Sequence, residues 1–429
     1  MLNQKNLIIV FSFLFYLLPA ALITGPFLSD LIISLMAIFF LISSLKNKQW
    51  IYYNNIYTKF FLIFYIYLLI SSFWANDTLD SLKSSVPYIR FLLFSLAIVY
   101  LSKKNKNFYN SFFKFTFFTL LFLVFDAYIQ FIFDKNLFNQ AIYHGKDAFS
   151  LTMTTRVSGL FGDELILGSY ISKIVFILTG LYFFCKQKLN NLFFIFFLIF
   201  TFLIVFISGE RLAFSIILFC ILYIFIQLTS YRSKIIKILL LLFSLIFLTI
   251  SVNKEVKNRM IGSTFKFLNY DKTSPYTNPE NFVIFSPEHH ELYLAAYKMF
   301  LKKPLLGHGH EMYEKDCKNY KNRSVSSCST HPHNYLLQIA VENGIIGLLF
   351  LFTIYVYLIK LFVHNLVKSN DNQKKNLFVF KIFLLSIITA NILPFIPSGN
   401  FYNNWISIFF YLPIGFYLST TIDNGIKNE

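Results

Sequence analysis

Two histidines stand directly before a long apolar run in the second half of the chain. The polar segment Thr330–Asn334 contains His331 and His333, and the apolar run begins at Tyr335. A neutral imidazole, the form that histidine mostly takes near pH 7, can accept a proton from a hydroxyl group. His333 is therefore a candidate general base at the rim of a predicted helix. The alternative is structural, with the polar segment serving only to satisfy the first turn of that helix.

Three arginines are candidates for binding an anionic group. Arg211 follows Ser208-Gly209-Glu210 between two apolar runs, Arg156 precedes another run, and Arg90 lies inside one. A guanidinium group can hold two phosphate oxygens at once through its planar fork. The alternative for Arg211 is that it snorkels to the membrane surface or pairs with Glu210. An arginine inside a span needs a partner or an aqueous cavity, so three converging arginines would suit a diphosphate.

Cys317 and Cys328 lie in a polar segment and are separated by ten residues. In an oxidising compartment they are a candidate disulfide pair. The alternative is a metal site shared with neighbouring histidines. No two-cysteine knuckle is present, and His289-His290-Glu291 lacks the His-Glu-x-x-His order of a metalloprotease. No metal ligand set is therefore predicted.

The elements that must position these residues are membrane helices. The chain has 429 residues, of which 56% are hydrophobic and 56 are Phe, and its mean hydropathy is +0.59. Apolar runs of about 20 residues are typical of transmembrane helices. The sequence predicts an all-α polytopic membrane protein with about twelve spans by this rule. The spans are expected near residues 7–23, 27–45, 56–73, 86–101, 112–133, 165–185, 191–208, 211–228, 235–251, 335–360, 377–396 and 402–420.

The net charge of +17 is carried mainly by short connections between these spans. Every even-numbered connection is basic, as at Lys46, Lys103, Lys186, Arg232 and Lys368. The positive-inside rule then places both termini in the cytoplasm and the odd-numbered connections outside, with the first helix retained rather than cleaved. No nucleic-acid-binding motif accompanies the charge, so nucleic acid is excluded as a partner.

The predicted division of the chain has three parts. Residues 1–251 hold spans 1–9, residues 252–334 form a large periplasmic loop, and residues 335–429 hold spans 10–12. Within the loop, apolar residues of segment 288–301 recur every three or four positions, which predicts an amphipathic helix that Pro304 and Gly307 end. We expect this helix to lie against the outer membrane face or to cap a cavity.

Several of these motifs together resemble the O-antigen ligase/O-antigen polymerase superfamily. The resemblance rests on Lys303–Gly309, Cys328–Gln338 and Glu342–Gly347, and Ser208–Arg211 is similar to a motif at the start of one of its membrane helices. It covers roughly residues 200–350. The combination of His-Asn, Glu-x-Gly and a further Gly is fairly specific for the superfamily and separates its members poorly.

The resemblance implies a bacterial inner-membrane glycosyltransferase of the C-type fold, with its active site facing the periplasm and with no metal or other cofactor. Its donor would be a polyprenyl-diphosphate-linked glycan. It assigns His333 to receiving or orienting the proton of the acceptor hydroxyl, and Arg211 to the donor diphosphate. His290, His331, Asn334 and Glu342 are expected to support this site.

One departure from the superfamily pattern concerns the second phosphate contact. Relatives often carry a second arginine in the loop helix, where this chain has His289 and His290. Either a histidine substitutes for that arginine, or Arg156, Arg90 or Arg259 supplies the charge.

The expected function is that of an O-antigen ligase, which joins the glycan to lipid A-core oligosaccharide. Alternatives within the superfamily are an O-antigen polymerase that extends the growing chain and a protein O-oligosaccharyltransferase. A transporter or flippase is the alternative from another class, and it would place polar residues in mid-membrane within broken helices. The polar residues collect at one face instead, which favours an enzyme in contact with membrane lipids.

Overall fold

The computed structural model describes residues 4–146, 153–268, 287–318, 328–372 and 376–422. Helices form nearly all of the regular structure, which confirms the prediction of an all-α protein. The exception is an antiparallel hairpin of β1 (Tyr143–Lys146) and β2 (Met153–Arg156), which the sequence pattern does not predict. In its terminal residue pair Tyr143 faces Arg156, so the hairpin returns this candidate arginine to the position where β1 begins.

The helices are numbered in chain order. Those of the first half are α1 (Gln4–Ala21), α2 (Pro26–Lys46), α3 (Ile56–Ser71), α4 (Thr78–Ser85), α5 (Ile89–Lys104), α6 (Phe108–Phe133), α7 (Leu167–Phe184) and α8 (Asn191–Ile207). Those of the second half are α9 (Arg211–Gln227), α10 (Arg232–Val252), α11 (Lys254–Lys257), α12 (Ser263–Leu268), α13 (Pro287–Lys302), α14 (Tyr313–Lys318), α15 (Tyr335–Asn372), α16 (Asn376–Ala390) and α17 (Asn404–Ser419).

Each of the twelve predicted spans overlaps a helix. Within the described residues, eight helices are long and apolar enough to cross a membrane, among them α5 together with the preceding α4. This finding confirms a polytopic membrane protein. Helices α8, α9 and α16 are apolar but shorter, and α17 has 16 residues. The full count of twelve spans stays a prediction for these four helices.

The bundle is built around α7, the most deeply buried of the long apolar helices. It packs against α6, α8, α9 and α16, while α5 packs against α2 and α17. Aromatic rings fill much of the space between helices, and Phe15 of α1 stacks on Phe112 of α6 with ring centroids 4.6 Å apart. The abundance of Phe thus has a packing role, because offset aromatic pairs add to the energy of burial. Most of α10 and α15 faces outward, where lipid would surround it.

The odd-numbered connections meet at one end of the bundle. Ser398, in the eleventh connection, donates its N–H to the carbonyl of His333 in the ninth at 2.8 Å. Arg259, also in the ninth, donates to the carbonyl of Gly209 in the seventh at 3.2 Å. We call this end the site face; it comprises the described parts of residues 134–166, 208–210, 253–334 and 391–403. The side of the membrane on which it lies stays a prediction.

Helix α15 is broken near its start, at Gly344. This residue has φ 62° and ψ −160°, and a Cβ there would lie 2.3 Å from the carbonyl oxygen of Leu305. The break leaves carbonyls of α15 without their usual helical donors, and the preceding loop satisfies them. His308 N–H donates to Val341 at 2.8 Å, and Gly309 N–H donates to the next carbonyl at 3.0 Å. We call residues 304–309 the wedge loop, since it fills the break.

The amphipathic helix predicted at residues 288–301 is α13. Its apolar side packs on α14 and α15 rather than on a membrane surface, through Ala296 and Met299 against Tyr313 and Val341. A disulfide joins Cys317 of α14 to Cys328, with 5.8 Å between their Cα atoms. These contacts fix α13 over the start of α15, where His331 and His333 lie.

Candidate functional site

The backbone around His333 is held by the loop that precedes α17. His333 has a left-handed φ of 53°, and its carbonyl accepts the hydrogen bond from Ser398. Asn334 caps α15, because its Oδ1 accepts from the N–H of Leu337 at 3.1 Å. The Asn334 amide also donates to the carbonyl of Pro394 at 2.8 Å. Capping of the helix, which was the structural alternative for this segment, is therefore the role of Asn334. The His333 ring does not cap the helix.

Three half-buried imidazole rings meet beside the start of α15. The ring centroid of His333 lies 4.1 Å from that of His331 and 5.8 Å from that of His289 on α13. Burial lowers the pKa of all three rings, to about 4 for His289 and His331, where the neighbouring His333 lowers it further. The rings are therefore neutral near pH 7, and a neutral imidazole is the form that accepts a proton.

Arg211 lies near enough to one of these rings, that of His289, to affect its protonation. It is the first residue of α9, and its positive charge contributes to the lowered pKa of His289. Its Nη1 atom lies 3.5 Å from the hydroxyl oxygen of Thr264 on α12. His289 thus has Arg211 and His333 as neighbours, so the predicted base and the predicted phosphate ligand lie in one region. Because His289 is neutral, it does not replace the charge of a second arginine.

Two further arginines flank Gly209, which lies two residues before Arg211. The guanidinium of Arg259 donates to the Gly209 carbonyl, and a Cβ at Gly209 would lie 3.0 Å from Cγ of Arg259 and 3.4 Å from Cγ of Arg156. Arg156 also donates through Nη2 to the carbonyl of Leu165 at 3.1 Å. We call Arg156, Arg211 and Arg259 the basic cluster. It brings three positive charges to the short connection between α8 and α9.

Glu210 fixes this connection to α7. Its carboxylate accepts from the backbone N–H groups of Gly168 and Ser169 at 2.5 and 2.9 Å, and from the Ser169 hydroxyl at 2.7 Å. These groups belong to the first turn of α7, where a negative charge also interacts favourably with the helix dipole. Burial raises the pKa of Glu210, and its hydrogen bonds to Ser169 and Gly168 and the positive charge of Arg156 oppose that rise. The start of α9 is therefore fixed to the start of α7 through a buried carboxyl group.

Arg90 is not part of the basic cluster. Its Nη2 lies 3.0 Å from a carboxylate oxygen of Asp30 and donates to Oδ1 of Asn404 at 2.6 Å. It lines a separate polar cavity whose walls include none of the three clustered arginines. The expectation that an arginine inside a span needs a partner is met by Asp30. The structure does not bring Arg90 to the predicted diphosphate site.

The other expected supporting residues lie in different places. His290 follows His289 on α13, and its Nδ1 is buried without a hydrogen-bond partner among the described residues. Glu342 is buried beneath the wedge loop, where one carboxylate oxygen accepts from the N–H of Tyr313 at 3.4 Å. The described contacts place Glu342 with α14, away from the ring of His333.

An apolar groove of about 710 Å³ opens beside this site. It runs between α9 and α15 and is lined by aliphatic and aromatic side chains from both helices and from the end of α16. At one end lie Leu336 and Pro394, and Pro394 is the residue that Asn334 binds. At the other end lie Ile226 and Phe362. The groove therefore runs along the bundle from the neighbourhood of His333, with a surface that suits a hydrocarbon chain.

Within the parts of the chain that the structure describes, no three His, Cys, Asp or Glu side chains are grouped in a way that could hold a metal ion. His308, one of the histidines near Cys317 in the sequence, binds Asp316 through Nδ1, and its Nε2 lies 3.1 Å from the Met299 carbonyl oxygen. Its role in the structure is to join α13 to α14.

Comparison with known proteins shows which family part of this chain resembles. Residues 196–352 match the family model described as O-antigen ligase. This segment of the chain is therefore similar to the O-antigen ligase family. A Rickettsia felis protein named "Putative polysaccharide ligase" is 31% identical over 114 residues. That alignment covers 23% of this chain and 28% of the relative, so the two proteins are similar over about a quarter of their lengths. The match confirms the superfamily resemblance, and it covers nearly the same residues as the sequence motifs that carried it.

The matched segment contains most of the site face. Arg211, Arg259, His289 and His333 all lie within residues 196–352. Arg156 lies before the domain, at the end of β2. The basic cluster is therefore completed by the hairpin, a part of the chain outside the matched segment.

Two residues of the matched segment had no clear signal in the sequence. Arg259 lies in a π-helical turn, Asn258–Gly262, without a motif around it, and it appeared only as one of several substitutes for the second arginine. His289 belongs to the amphipathic helix, but its place between Arg211 and His333 depends on how α13 packs. The one local signal for His289 is that a polar residue stands at the edge of the apolar side of α13.

Proposed function

We propose that the site face transfers a glycan from a polyprenyl-diphosphate carrier to a hydroxyl group of lipid A-core oligosaccharide, as an O-antigen ligase does. The single observation that carries this proposal is that His289 is near both the cationic Arg211 and the neutral His333. A phosphate ligand and a proton acceptor are thereby held within one small region, which glycosyl transfer from a diphosphate requires.

The reaction follows from these groups. The acceptor hydroxyl oxygen forms a bond to the anomeric carbon of the donor, and the bond from that carbon to the diphosphate oxygen breaks. The hydroxyl proton passes to the His333 imidazole, and the bond electrons leave with the diphosphate. Arg156, Arg211 and Arg259 stabilise the negative charge that develops there. Because a diphosphate is a good leaving group, no group need protonate it and no metal is invoked.

The carrier also fits the surroundings of the site. The polyprenyl chain would lie in the apolar groove between α9 and α15, whose end at Leu336 is three residues from His333. A glycan bound to such a carrier is kept at the membrane surface, which is where the site face lies. By the distribution of basic residues, this surface is the periplasmic side of the bacterial inner membrane.

Deletion of the gene in the source bacterium, followed by electrophoresis of its lipopolysaccharide, tests the proposal. We expect loss of all long-chain glycan on the core, while polymerised glycan remains on its lipid carrier. Core that carries a single repeat unit would identify a polymerase instead. An unchanged glycan profile would contradict both activities.

A further inference from the structure

The outward side of α13 carries an apolar surface that the proposed reaction does not use. Leu294, Tyr297 and Leu301 are 39%, 53% and 56% exposed, and their spacing of three and four residues sets them in one row. The row lies on the side of the helix away from Ala296, which packs on α14 and α15. Leu305 of the wedge loop follows four residues after Leu301 and is 66% exposed. We call these four exposed side chains the outer stripe, and exposed apolar patches of this kind mark interaction surfaces.

Lysines border the outer stripe. Lys298 and Lys302 each stand one position after a stripe residue and are exposed, and residues 292–310 contain no Asp or Glu. A lysine at the edge of an apolar surface can lay its methylene groups along it and hold its ammonium group in water. Apolar rows bordered by lysines are typical of helices that lie in a membrane interface and attract anionic headgroups. The outer stripe thus favours a partner with negative charge at its surface and hydrocarbon beneath it.

The outer stripe adjoins the lipid-facing surface of α15. Exposed apolar side chains of that helix form a row that begins at Ile345 and continues through Leu349 and Phe352. The N–H of Ile345 donates to the carbonyl of Pro304 at 2.8 Å, so the residue that follows Pro304, which is Leu305, lies beside the start of the row. The hydrocarbon that covers α15 therefore reaches the wedge loop.

A second lipid-facing row reaches the wedge loop from α3. Ile66 and Ile70 are exposed on this helix, and Phe73, just beyond its end, is 68% exposed. The hydroxyl group of Tyr67 on α3 donates to the carbonyl of Leu306 in the wedge loop at 3.3 Å. Two transmembrane helices thus present apolar side chains to lipid in rows that end at this loop. The wedge loop, and with it the end of α13, therefore lies at the boundary between hydrocarbon and headgroups.

We propose that the outer stripe docks on the membrane surface at the site face. Its apolar side chains lie among the first carbons of the lipid chains, and Lys298 and Lys302 bind the phosphate groups of anionic phospholipids. A second copy of the chain is the other occupant to consider. A two-fold contact between copies would bring these lysines toward their own counterparts, and it would not explain why the stripe meets two lipid-facing rows. The docking is independent of the proposed glycan transfer, so either proposal can fail alone.

Electron paramagnetic resonance on the full chain in liposomes tests the proposal. Nitroxide labels are attached at Leu301→Cys and Leu305→Cys, in a protein whose free thiols are removed by Cys185→Ala and Cys220→Ala. Oxygen concentrates in hydrocarbon and a nickel chelate in water, so their effects on a label give its depth. We expect both labels to meet oxygen more than nickel and to lie about 5–10 Å within the interface. Lys83→Cys on α4 is the matched control, since its exposed side chain should give a label that meets nickel more.

The lipid composition tests the role of the lysines. Both labels should lie deeper in liposomes that contain phosphatidylglycerol than in phosphatidylcholine alone, and Lys298→Gln/Lys302→Gln should remove that difference. Lys318→Gln controls for the loss of positive charge, because its exposed ammonium group pairs with Glu314 of its own helix, α14. This control should leave the depth of both labels unchanged.

Three outcomes would overturn the proposal. Labels at both stripe positions that meet nickel as often as the control label does would show a surface exposed to water. Labels that neither reagent reaches would show cover by protein, and dipolar coupling between labels would identify a second copy as that cover. Equal depths in the two lipid mixtures would exclude phosphate binding by the lysines. If one labelled protein does not fold, the other stripe position still decides.

Discussion

The guanidinium of Arg259 donates a hydrogen bond to the carbonyl oxygen of Gly209, over a distance of 3.2 Å. Gly209 has a φ of 75°, a conformation that glycine adopts easily and other residues rarely do. The contact joins the short connection between α8 and α9 to the turn after α10. It places a third positive charge beside Arg156 and Arg211.

Loss of a clustered arginine should reduce glycan transfer strongly. Removal of one group that stabilises developing charge costs about 10²–10³ in rate, so we expect Arg211→Ala and Arg259→Ala each to lower transfer by that order. Arg211→Lys should keep part of the activity, since it retains charge without the fork. Rates would be measured with purified protein and lipid-linked glycan. Arg232→Ala is the control, because Arg232 lies on α10 and bonds the Phe225 carbonyl; a similar loss there would argue against a specific role.

Removal of the proposed proton acceptor should separate His333 from its neighbour. His333→Ala should lower the transfer rate by about 10²–10⁴, the usual contribution of general base catalysis. His331→Ala should have a smaller effect, since its ring packs on His333 and has no assigned part in the reaction. Both variants would be compared after their amounts in the membrane are matched. A fully active His333→Ala protein would remove this residue from the mechanism.

The pH dependence of transfer should follow the protonation of His333. Burial lowers the pKa of this ring, so the neutral form persists to a lower pH than in a free histidine with a pKa of about 6.5. Activity should therefore be constant from about pH 7 to 8 and should fall only at a pH below that at which a free histidine titrates, as the ring becomes protonated. A pH–rate profile at saturating donor measures this. A decrease in rate on going from pH 8 to 7 would contradict a lowered pKa.

Substitution at the break in α15 should destabilise the bundle. Gly344→Ala imposes a left-handed backbone on alanine and sets its Cβ 2.3 Å from the Leu305 carbonyl oxygen. Backbone strain alone costs about 1–3 kcal/mol, so we expect a lower Tm and displacement of the wedge loop. Gly262→Ala is a suitable control, since the nearest atom to its Cβ would be 3.8 Å away. Thermal unfolding in nanodiscs measures both, and equal Tm values would rule out the strain.

Loss of the disulfide should destabilise the packing of α13 and α14 over the start of α15. The bond closes a short loop between Cys317 and Cys328, and such bonds contribute typically about 2–4 kcal/mol. The double variant Cys317→Ser/Cys328→Ser should therefore unfold at a lower temperature, and mass spectrometry without reduction should show the bond in the unchanged protein. The buried thiol of Cys220 provides a control, because Cys220→Ala leaves the loop intact. Free thiols at both positions in the unchanged protein would contradict the bond.

Features that depend on local periodicity were predictable from the sequence. The spans followed from runs of apolar residues, and α13 from apolar positions three and four apart, with Pro304 following its end. The break at Gly344 was not predictable, because the apolar pattern of α15 continues across it. The conformation of this glycine depends on its contact with the wedge loop, which lies 35–40 residues earlier in the chain.

Prediction of the site from the sequence was limited in the same way. His333 and Arg211 carry recognisable motifs, so they could be assigned from the chain alone. Arg259 reaches Gly209 across 50 residues, and no local pattern reports such a contact. Arg90 was expected at the diphosphate because of its charge, but Asp30 and Asn404 hold it elsewhere. Tertiary packing decides which of several arginines meet, and periodicity contains no information about it.

The wedge loop also constrains how the protein is made. Three backbone hydrogen bonds join α15 to the wedge loop. They pair Val341 with His308, Glu342 with Gly309, and Ile345 with Pro304. Unsatisfied backbone groups are costly in hydrocarbon, so the broken conformation of α15 needs the wedge loop in place. We therefore expect α15 to reach its final conformation only once the wedge loop has folded against it. The break at Gly344 thus makes the final form of a membrane helix depend on the folding of a loop at its end.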